Sequence, residues 1–325
     1  MAGLAVLLCL AGTAWGALLL LYRAPGGPVV AGAVSAAFGI LGVAALLGLW
    51  RGTWLPVAAF GTVLAGLAVA FALLRPTGRA DWAPDVSRIV TADIGPDRIV
   101  VRDVRNFRWR TETEFDPVWE TRGYDPAAIR TVDLVNSYWT WRGIAHTLLS
   151  FGFADGTFLA FSIEIRRRDG QDFSNVAGFF KEYELAVIAA DERDIIRLRT
   201  TTRGEDVELY RAKVTPDQAR RLFVALLERG NRAAARPEWY DTLRANCTTE
   251  MFGAVREVAP DLPFDPRIIL SGYLPEYAYA RGLLDRRVPF ERLRETAKVS
   301  RRGKDAGYAS DFSVRIREGV PDPNR

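Results

Sequence analysis

Apolar and polar positions divide the chain into two regimes. Up to residue 74 the apolar residues form no periodic face; they fill three uncharged stretches, 1–22, 29–50 and 54–74. Each is close to the ~20 apolar residues that carry a helix across a bilayer. The joints are short, Tyr22-Arg23-Ala24-Pro25-Gly26-Gly27-Pro28 and Arg51-Gly52-Thr53, and Trp50 and Trp54 flank Arg51 as interfacial aromatics do. The pattern predicts a three-helix transmembrane anchor over residues 1–75. A signal peptide is the competing reading of the first stretch, but the basic n-region is missing. Cys9 follows Leu8, where a lipidated cysteine usually follows a small residue.

A polar linker, 76–90, leads to a segment with the mixed periodicities of an α+β domain, 91–317. Strands are predicted at 99–104, after the Gly95-Pro96-Asp97 turn, and at 129–139. A hairpin follows, with strands 146–153 and 157–165 around Ala154-Asp155-Gly156. A three-residue loop with Gly in the left-handed position pairs Phe153 with Thr157 and, counting back, His146 with Glu164. Leu149, Phe151, Phe153, Leu159, Phe161 and Ile163 then share one face, and His146, Ser150, Ser162 and Glu164 the other. A two-residue turn would shift the register by one and separate His146 from Glu164. Further on, a helix is predicted near 173–183, strands near 184–190 and 206–214, and a helix from Pro216 to Arg229 with Thr215 as its N-cap. Residues 318–325 are expected to be a disordered tail.

Charge adds one point. Formal net charge is +4, yet residues 1–74 carry only Arg23 and Arg51 and no acid, and the remainder is evenly mixed. The basic balance therefore does not signal nucleic acid. The charges near the spans are too few to set orientation, and mildly oppose an outward-facing domain. There is no P-loop, no dinucleotide fingerprint and no Gly-x-Ser-x-Gly elbow. A chain with one histidine offers no ordinary zinc site, so neither metal nor cofactor is expected.

The candidate chemistry rests on scarcity. Cys247 is the one cysteine outside the apolar region, and His146 is the one histidine of the chain. Met251, Phe252, Val255 and Val258 mark a helix beginning after Asn246, a good N-cap. A cysteine in that first turn has its thiolate stabilised by free N–H groups and the helix dipole. The competing reading is a buried structural cysteine.

Several longer motifs go further. Asn106-Phe107-Arg108-Trp109-Arg110-Thr111-Glu112-Thr113-Glu114-Phe115, Ala145-His146-Thr147 with Ser150-Phe151-Gly152-Phe153, Ser162-Ile163-Glu164, Ala190-Asp191-Glu192-Arg193-Asp194 with Arg197-Leu198-Arg199-Thr200, and Asn246-Cys247-Thr248-Thr249 together resemble the Lnb-type lipoprotein N-acyltransferase periplasmic domain. The resemblance covers about residues 81–320. It implies a circularly permuted NlpC/P60 (papain-like) fold, with the His strand ahead of the Cys helix. It also implies a bacterial inner-membrane protein with its C-terminal domain in the periplasm. The implied activity is acyl transfer from a membrane phospholipid to the N-terminal diacylglyceryl cysteine of a lipoprotein through a Cys247 thioester. His146 would be the base. Glu164 would be the orienting third member, with Ser162 the second candidate, and first-turn amides with Asn246 would hold the oxyanion. Trp109, Arg110, Tyr183, Arg193, Arg197 and Arg199 are candidates for substrate or headgroup contacts, against the plainer reading of most of the arginines as solvated ion pairs. The rivals are a cysteine peptidase, amidase or phospholipase on the same dyad, and a non-catalytic membrane-anchored binding protein.

Overall fold

The computed structural model describes residues 2–324, which fall into two compact units. The first holds helices α1 (Ala2–Arg23), α2 (Gly27–Arg51) and α3 (Trp54–Leu73), each long and apolar enough to cross a membrane by length and composition. They pack as membrane helices do, through small residues and close van der Waals contact. A Cβ on Gly42 would lie 2.2 Å from Thr13 Oγ1, and Phe38 stacks on Phe60 with centroids 5.4 Å apart. The segments Phe173–Tyr183 and Trp239–Thr242 belong to this unit. The helix expected near 173–183 is only a 3-10 turn, Ala177–Phe180. Lys181 ends it at φ 56, and Gly178 allows a close approach in which a Cβ would meet Thr242 Oγ1 at 2.3 Å.

The second unit is a mixed sheet covered on both faces. Its strands are β1 (Thr91–Ile94), β2 (Ile99–Arg105), a small hairpin of β3 (Arg108–Trp109) and β4 (Phe115–Asp116), β5 (Trp119–Tyr124), β6 (Ile129–Tyr138), β7 (His146–Phe153), β8 (Phe158–Arg166) and β9 (Glu184–Ala190). Then come α4 (Glu192–Arg197), a π-helical turn (Leu198–Thr202), β10 (Asp206–Arg211), α5 (Pro216–Ala235) and α6 (Cys247–Val258). The C-terminal third adds α7 (Pro266–Ile269), α8 (Leu274–Ala280), α9 (Phe290–Ala297), α10 (Ser300–Ala306) and α11 (Phe312–Arg315). The main sheet runs β1-β2-β9-β8-β7-β6-β10, with β5 also paired to β2; only the β2–β9 pairing is parallel. β9 is buried along its whole length, as a near-continuous apolar strand covered on both faces must be.

The hairpin has the register expected of a three-residue loop. Phe153 N donates to Thr157 O at 2.9 Å, Gly156 has φ 83, and Leu148 faces Ser162. Alternation then sends Phe151, Phe153 and Phe161 onto Phe223 of α5, with ring centroids 5.2, 5.6 and 5.6 Å away. α6 lies beside α5 on that face. The opposite face is not open: Ser150 Oγ donates to Glu192 Oε1 of α4 at 2.5 Å, and Arg317 stacks over Phe158 at 3.9 Å.

Tertiary contacts shift several boundaries. α5 continues past Arg229 to Ala235 because Gly230 fits tightly on Val90 and Asn231 hydrogen-bonds both N and O of Ala92. The expected linker is partly built into the domain: Asp85 and Val86 are buried, and Asp85 pairs with Arg167. Nor is the C-terminus loose through residue 324. Arg287 and Arg302 donate to the carbonyls of Asp322 and Glu318, and Asn324 Nδ2 donates to Ala212 O at 2.9 Å.

Candidate functional site

α6 begins at Cys247 because Asn246 caps it. Asn246 has extended backbone (φ −115, ψ 178), and its Oδ1 accepts from Thr248 N and Thr249 N, both at 2.9 Å. Thr249 Oγ1 returns a bond from Asn246 N at 2.9 Å, closing a reciprocal box. This revises the expected oxyanion hole. The cap uses the Thr248 and Thr249 amides and the Asn246 carbonyl oxygen, so the Cys247 N–H is the first-turn donor that the cap does not use.

His146 is the first residue of β7, at the end of the strand. The loop before it is tightly held. Ser271 Oγ donates to Ala145 O at 2.6 Å and accepts from Ala145 N at 2.9 Å, while Gly272 N donates to Gly143 O at 3.2 Å. One position on, Thr147 Oγ1 lies 3.4 Å from Thr248 Oγ1. These neighbours bring the strand start to the helix start, and the imidazole comes within hydrogen-bonding reach of the Cys247 thiol.

The other side of the imidazole is engaged. Nε2 is 2.6 Å from Ser162 Oγ and 3.2 Å from Glu164 Oε1, and Ser162 Oγ donates to the same Oε1 at 2.6 Å. An ionised Glu164 only accepts, so the consistent arrangement is Nε2–H to Ser162 and Ser162 O–H to Glu164. Nδ1 is then the nitrogen left to face the thiol. The two sequence candidates for a third member thus act together, with Ser162 bridging ring and carboxylate. Arg199 Nη2 donates to Glu164 Oε1 at 3.1 Å from the π-helical turn, and Arg199 Nη1 donates to Ile195 O at 2.9 Å.

The electrostatics follow. Burial disfavours the charged forms of all three titrating groups, but their mutual charges win. Against that burial, Glu164's charge and the ring's hydrogen bonds to Cys247 and Glu164 push His146 from 6.5 up to about 9, with Arg199 opposing. Glu164 is held well below its ordinary value by His146, Arg199 and Ser162, again against burial. The Cys247 thiol is lowered despite burial by the hydrogen bond and charge of His146, the Thr147 N–H and the Thr248 hydroxyl, whose oxygen lies 3.7 Å from Sγ. Both shifts move the balance from thiol and neutral imidazole towards thiolate and imidazolium.

The other candidates sit elsewhere. Trp109 is buried among Phe107, Phe115 and Leu198, its Nε1 donating to Asp194 Oδ1 at 2.7 Å. Arg110 pairs with Glu114 and Asp116 at the surface, Arg193 with Asp191, and Arg197 lies over the Tyr308 ring at 3.5 Å. Tyr183 belongs to the helical unit, where its hydroxyl accepts from Ser174 N at 2.9 Å. The arginine that does reach the cluster is Arg199, expected only as a headgroup ligand; no local pattern distinguishes it from Arg193 or Arg197.

An apolar cavity of about 110 Å³ lies behind α6, lined by Thr147, Leu149, Leu222, Met251, Val255 and Val258 among others. Cys247, Met251, Val255 and Val258 fall on one helical face, so the cavity starts about one turn, ~5 Å, from the nucleophile's position. A larger, open hollow of about 600 Å³ beside Ile94 and Arg220 contains none of the site residues.

Fold and site define a membrane-associated α+β protein with a thiol–imidazole pair at a helix N-terminus. Residues 115–272 match the model of the Lnb N-terminal periplasmic domain. The match includes Cys247, His146, Ser162, Glu164, Asn246 and Arg199, and a periplasmic domain family fits three apolar helices at the N-terminus. No curated protein and no solved structure gives a significant match.

Proposed function

We propose that the protein is a cysteine acyltransferase of the bacterial inner membrane. In this reading it moves an acyl chain from a glycerolipid ester, such as a membrane phospholipid, to the α-amino group of a lipoprotein's diacylglyceryl cysteine. The observation that carries the reading is the lowered Cys247 thiol, paired with His146 and backed by Ser162 and Glu164. The strand order, His146 before Cys247, supports a circularly permuted papain-like arrangement. The apolar cavity along the Cys247 face of α6 supports an acyl group over a polar peptide substrate.

The reaction has two steps. The Cys247 thiolate attacks the ester carbonyl, and the oxyanion forms against the Cys247 N–H. The C–O bond breaks, the leaving alkoxide takes the proton from His146 Nδ1, and an acyl thioester remains. The acceptor amine then attacks the thioester, neutral His146 takes the amine proton, and the amide forms as Cys247 leaves as thiolate. The imidazolium–thiolate pair is thereby restored. Glu164, through Ser162, holds the ring and stabilises its cationic form in both steps.

The test is the intact mass and amino-terminal status of a reporter lipoprotein in cells lacking other N-acyltransferases. Wild-type protein is expected to block the amino terminus with one acyl chain, and Cys247→Ala to abolish this. Well-expressed wild type that leaves the amine free while releasing fatty acid would replace transfer with hydrolysis. A thiol that never forms a thioester would overturn both.

A further inference from the structure

We propose that Phe173–Lys181 is a membrane-interface wedge whose Phe173, Val176 and Phe179 side chains insert into the bilayer leaflet at the C-terminal ends of α1 and α3. The proposal is independent of the acyl-transfer reading and rests on contacts within the helical unit.

The segment is pinned at the level where the spans end. Lys181 Nζ donates to Phe71 O at 2.8 Å and Leu74 O at 3.5 Å, capping the last carbonyls of α3, and lies 4.6 Å from the Phe71 ring centroid. A cation there satisfies orphan carbonyls and the helix dipole together. Tyr22, next to the end of α1, stacks on Phe180 at 5.6 Å, and Arg23 Nη1 donates to Glu182 Oε2 at 3.0 Å and Lys181 O at 3.1 Å. Trp239 Nε1 donates to Leu74 O at 3.2 Å. A span of ~20 residues covers ~30 Å, the thickness of the hydrocarbon core, so its last turn marks the headgroup boundary. Tyr22, Trp239 and Lys181 are the residue types that favour that boundary.

The segment is also built rigidly around an outward apolar face. Ser174 N donates to Tyr183 Oη at 2.9 Å, Ala177 N to Ser174 Oγ at 3.2 Å, and Thr242 Oγ1 to Asn175 O at 3.1 Å. Ala177, Gly178 and Phe180 are buried, whereas Phe173, Val176 and Phe179 are 51%, 43% and 42% exposed. Val176 and Phe179 are three apart at a 3-10 turn, which puts them on one side. Three large apolar side chains exposed within seven residues, two of them on the 3-10 turn and its cap and one just before it, are the kind of surface a soluble protein avoids. Because the segment is pinned to the C-terminal ends of two apolar helices long enough to span a bilayer, lipid is the occupant it fits.

The test uses the full chain with Cys9→Ser and Cys247→Ala, carrying Val176→Cys or Phe179→Cys labelled with an environment-sensitive fluorophore. The protein is placed in vesicles of phosphatidylethanolamine and phosphatidylglycerol with brominated acyl chains. The expected result is blue-shifted emission and severalfold quenching, strongest with bromines near the carbonyl end of the chain. Val314→Cys, on an exposed position of the other unit, is expected to stay unquenched by bromine and open to aqueous iodide. Iodide access at 176 and 179 equal to that at 314 would overturn the proposal. A second measurement needs no substitution: the wild-type chain is irradiated in vesicles with diazirine-bearing acyl chains and digested. Lipid adducts within 173–179 are expected, and adducts confined to α1–α3 would overturn it.

Discussion

Glu164→Gln isolates the charge that sets the site's protonation. The variant keeps the shape of the side chain and an oxygen that can accept from Ser162. It removes the anion that raises His146 from 6.5 to about 9. At about 1.4 kcal/mol per tenfold change in proton affinity, that rise corresponds to about 3 kcal/mol favouring the imidazolium. Without it, burial and the Arg199 charge, 3.1 Å from a group now neutral, are opposed only by the hydrogen bond with Cys247, so His146 is expected to fall back towards or below 6.5. The thiol loses the cation that lowers it and moves towards its ordinary 9.0 or beyond. The assay is the rate of iodoacetamide alkylation of Cys247 against pH, in full-length protein with Cys9→Ser. Wild type is expected to react as a thiolate at neutral pH, and the variant to react about 10- to 100-fold more slowly there, recovering only under alkaline conditions. Superposable profiles would refute the assignment of Glu164 as the source of the shift. Stability carries the same sign. A raised His contributes fully below its unfolded value near 6.5 and loses that contribution as pH rises through about 9; a depressed Glu contributes above 4.5 and loses it as pH falls. The wild-type advantage in Tm over Glu164→Gln should therefore peak between 4.5 and 6.5 and fall as pH rises through about 9, leaving only the part that Glu164 gains from Arg199 and Ser162.

Other perturbations test the supports. Gly272→Ala would put a Cβ 1.7 Å from the Arg142 carbonyl oxygen and displace the turn whose Ser271 holds Ala145. A folded protein with alkylation or transfer reduced on the order of 10²-fold is expected, since misplacement by an ångström costs that much. Asp194→Asn strips the fully buried carboxylate that accepts from Arg105, Phe107 N and Trp109 Nε1. Leaving Arg105 buried and unpaired should cost about 3–5 kcal/mol, read by thermal unfolding of the full chain in detergent. Phe223→Ala empties the centre of the ring cluster of Tyr124, Phe151, Phe153 and Phe161 and should cost about 3–5 kcal/mol by the same measurement, with little change in the thiol's pH profile.

What the sequence determined by itself was local or periodic. Three unbroken apolar stretches are helices because a backbone in lipid must satisfy its own hydrogen bonds. Asp155-Gly156 allowed a loop with Gly at positive φ, and given that loop, period-two alternation placed Ser162 and Glu164 beside His146. Asn246 is a cap because its side chain reaches the amides two and three residues on. Tertiary structure alone decided the rest, through contacts between residues far apart in the chain. It selected Arg199 from several similar arginines, buried Trp109 over Asp194, and reduced a predicted helix at 173–183 to a turn held by α1 and α3. It also fixed a tail whose place at the end of the chain suggested disorder. Periodicity records which face of an element is buried, but not the partner that buries it; that choice is made where distant segments compete for the same space and charge.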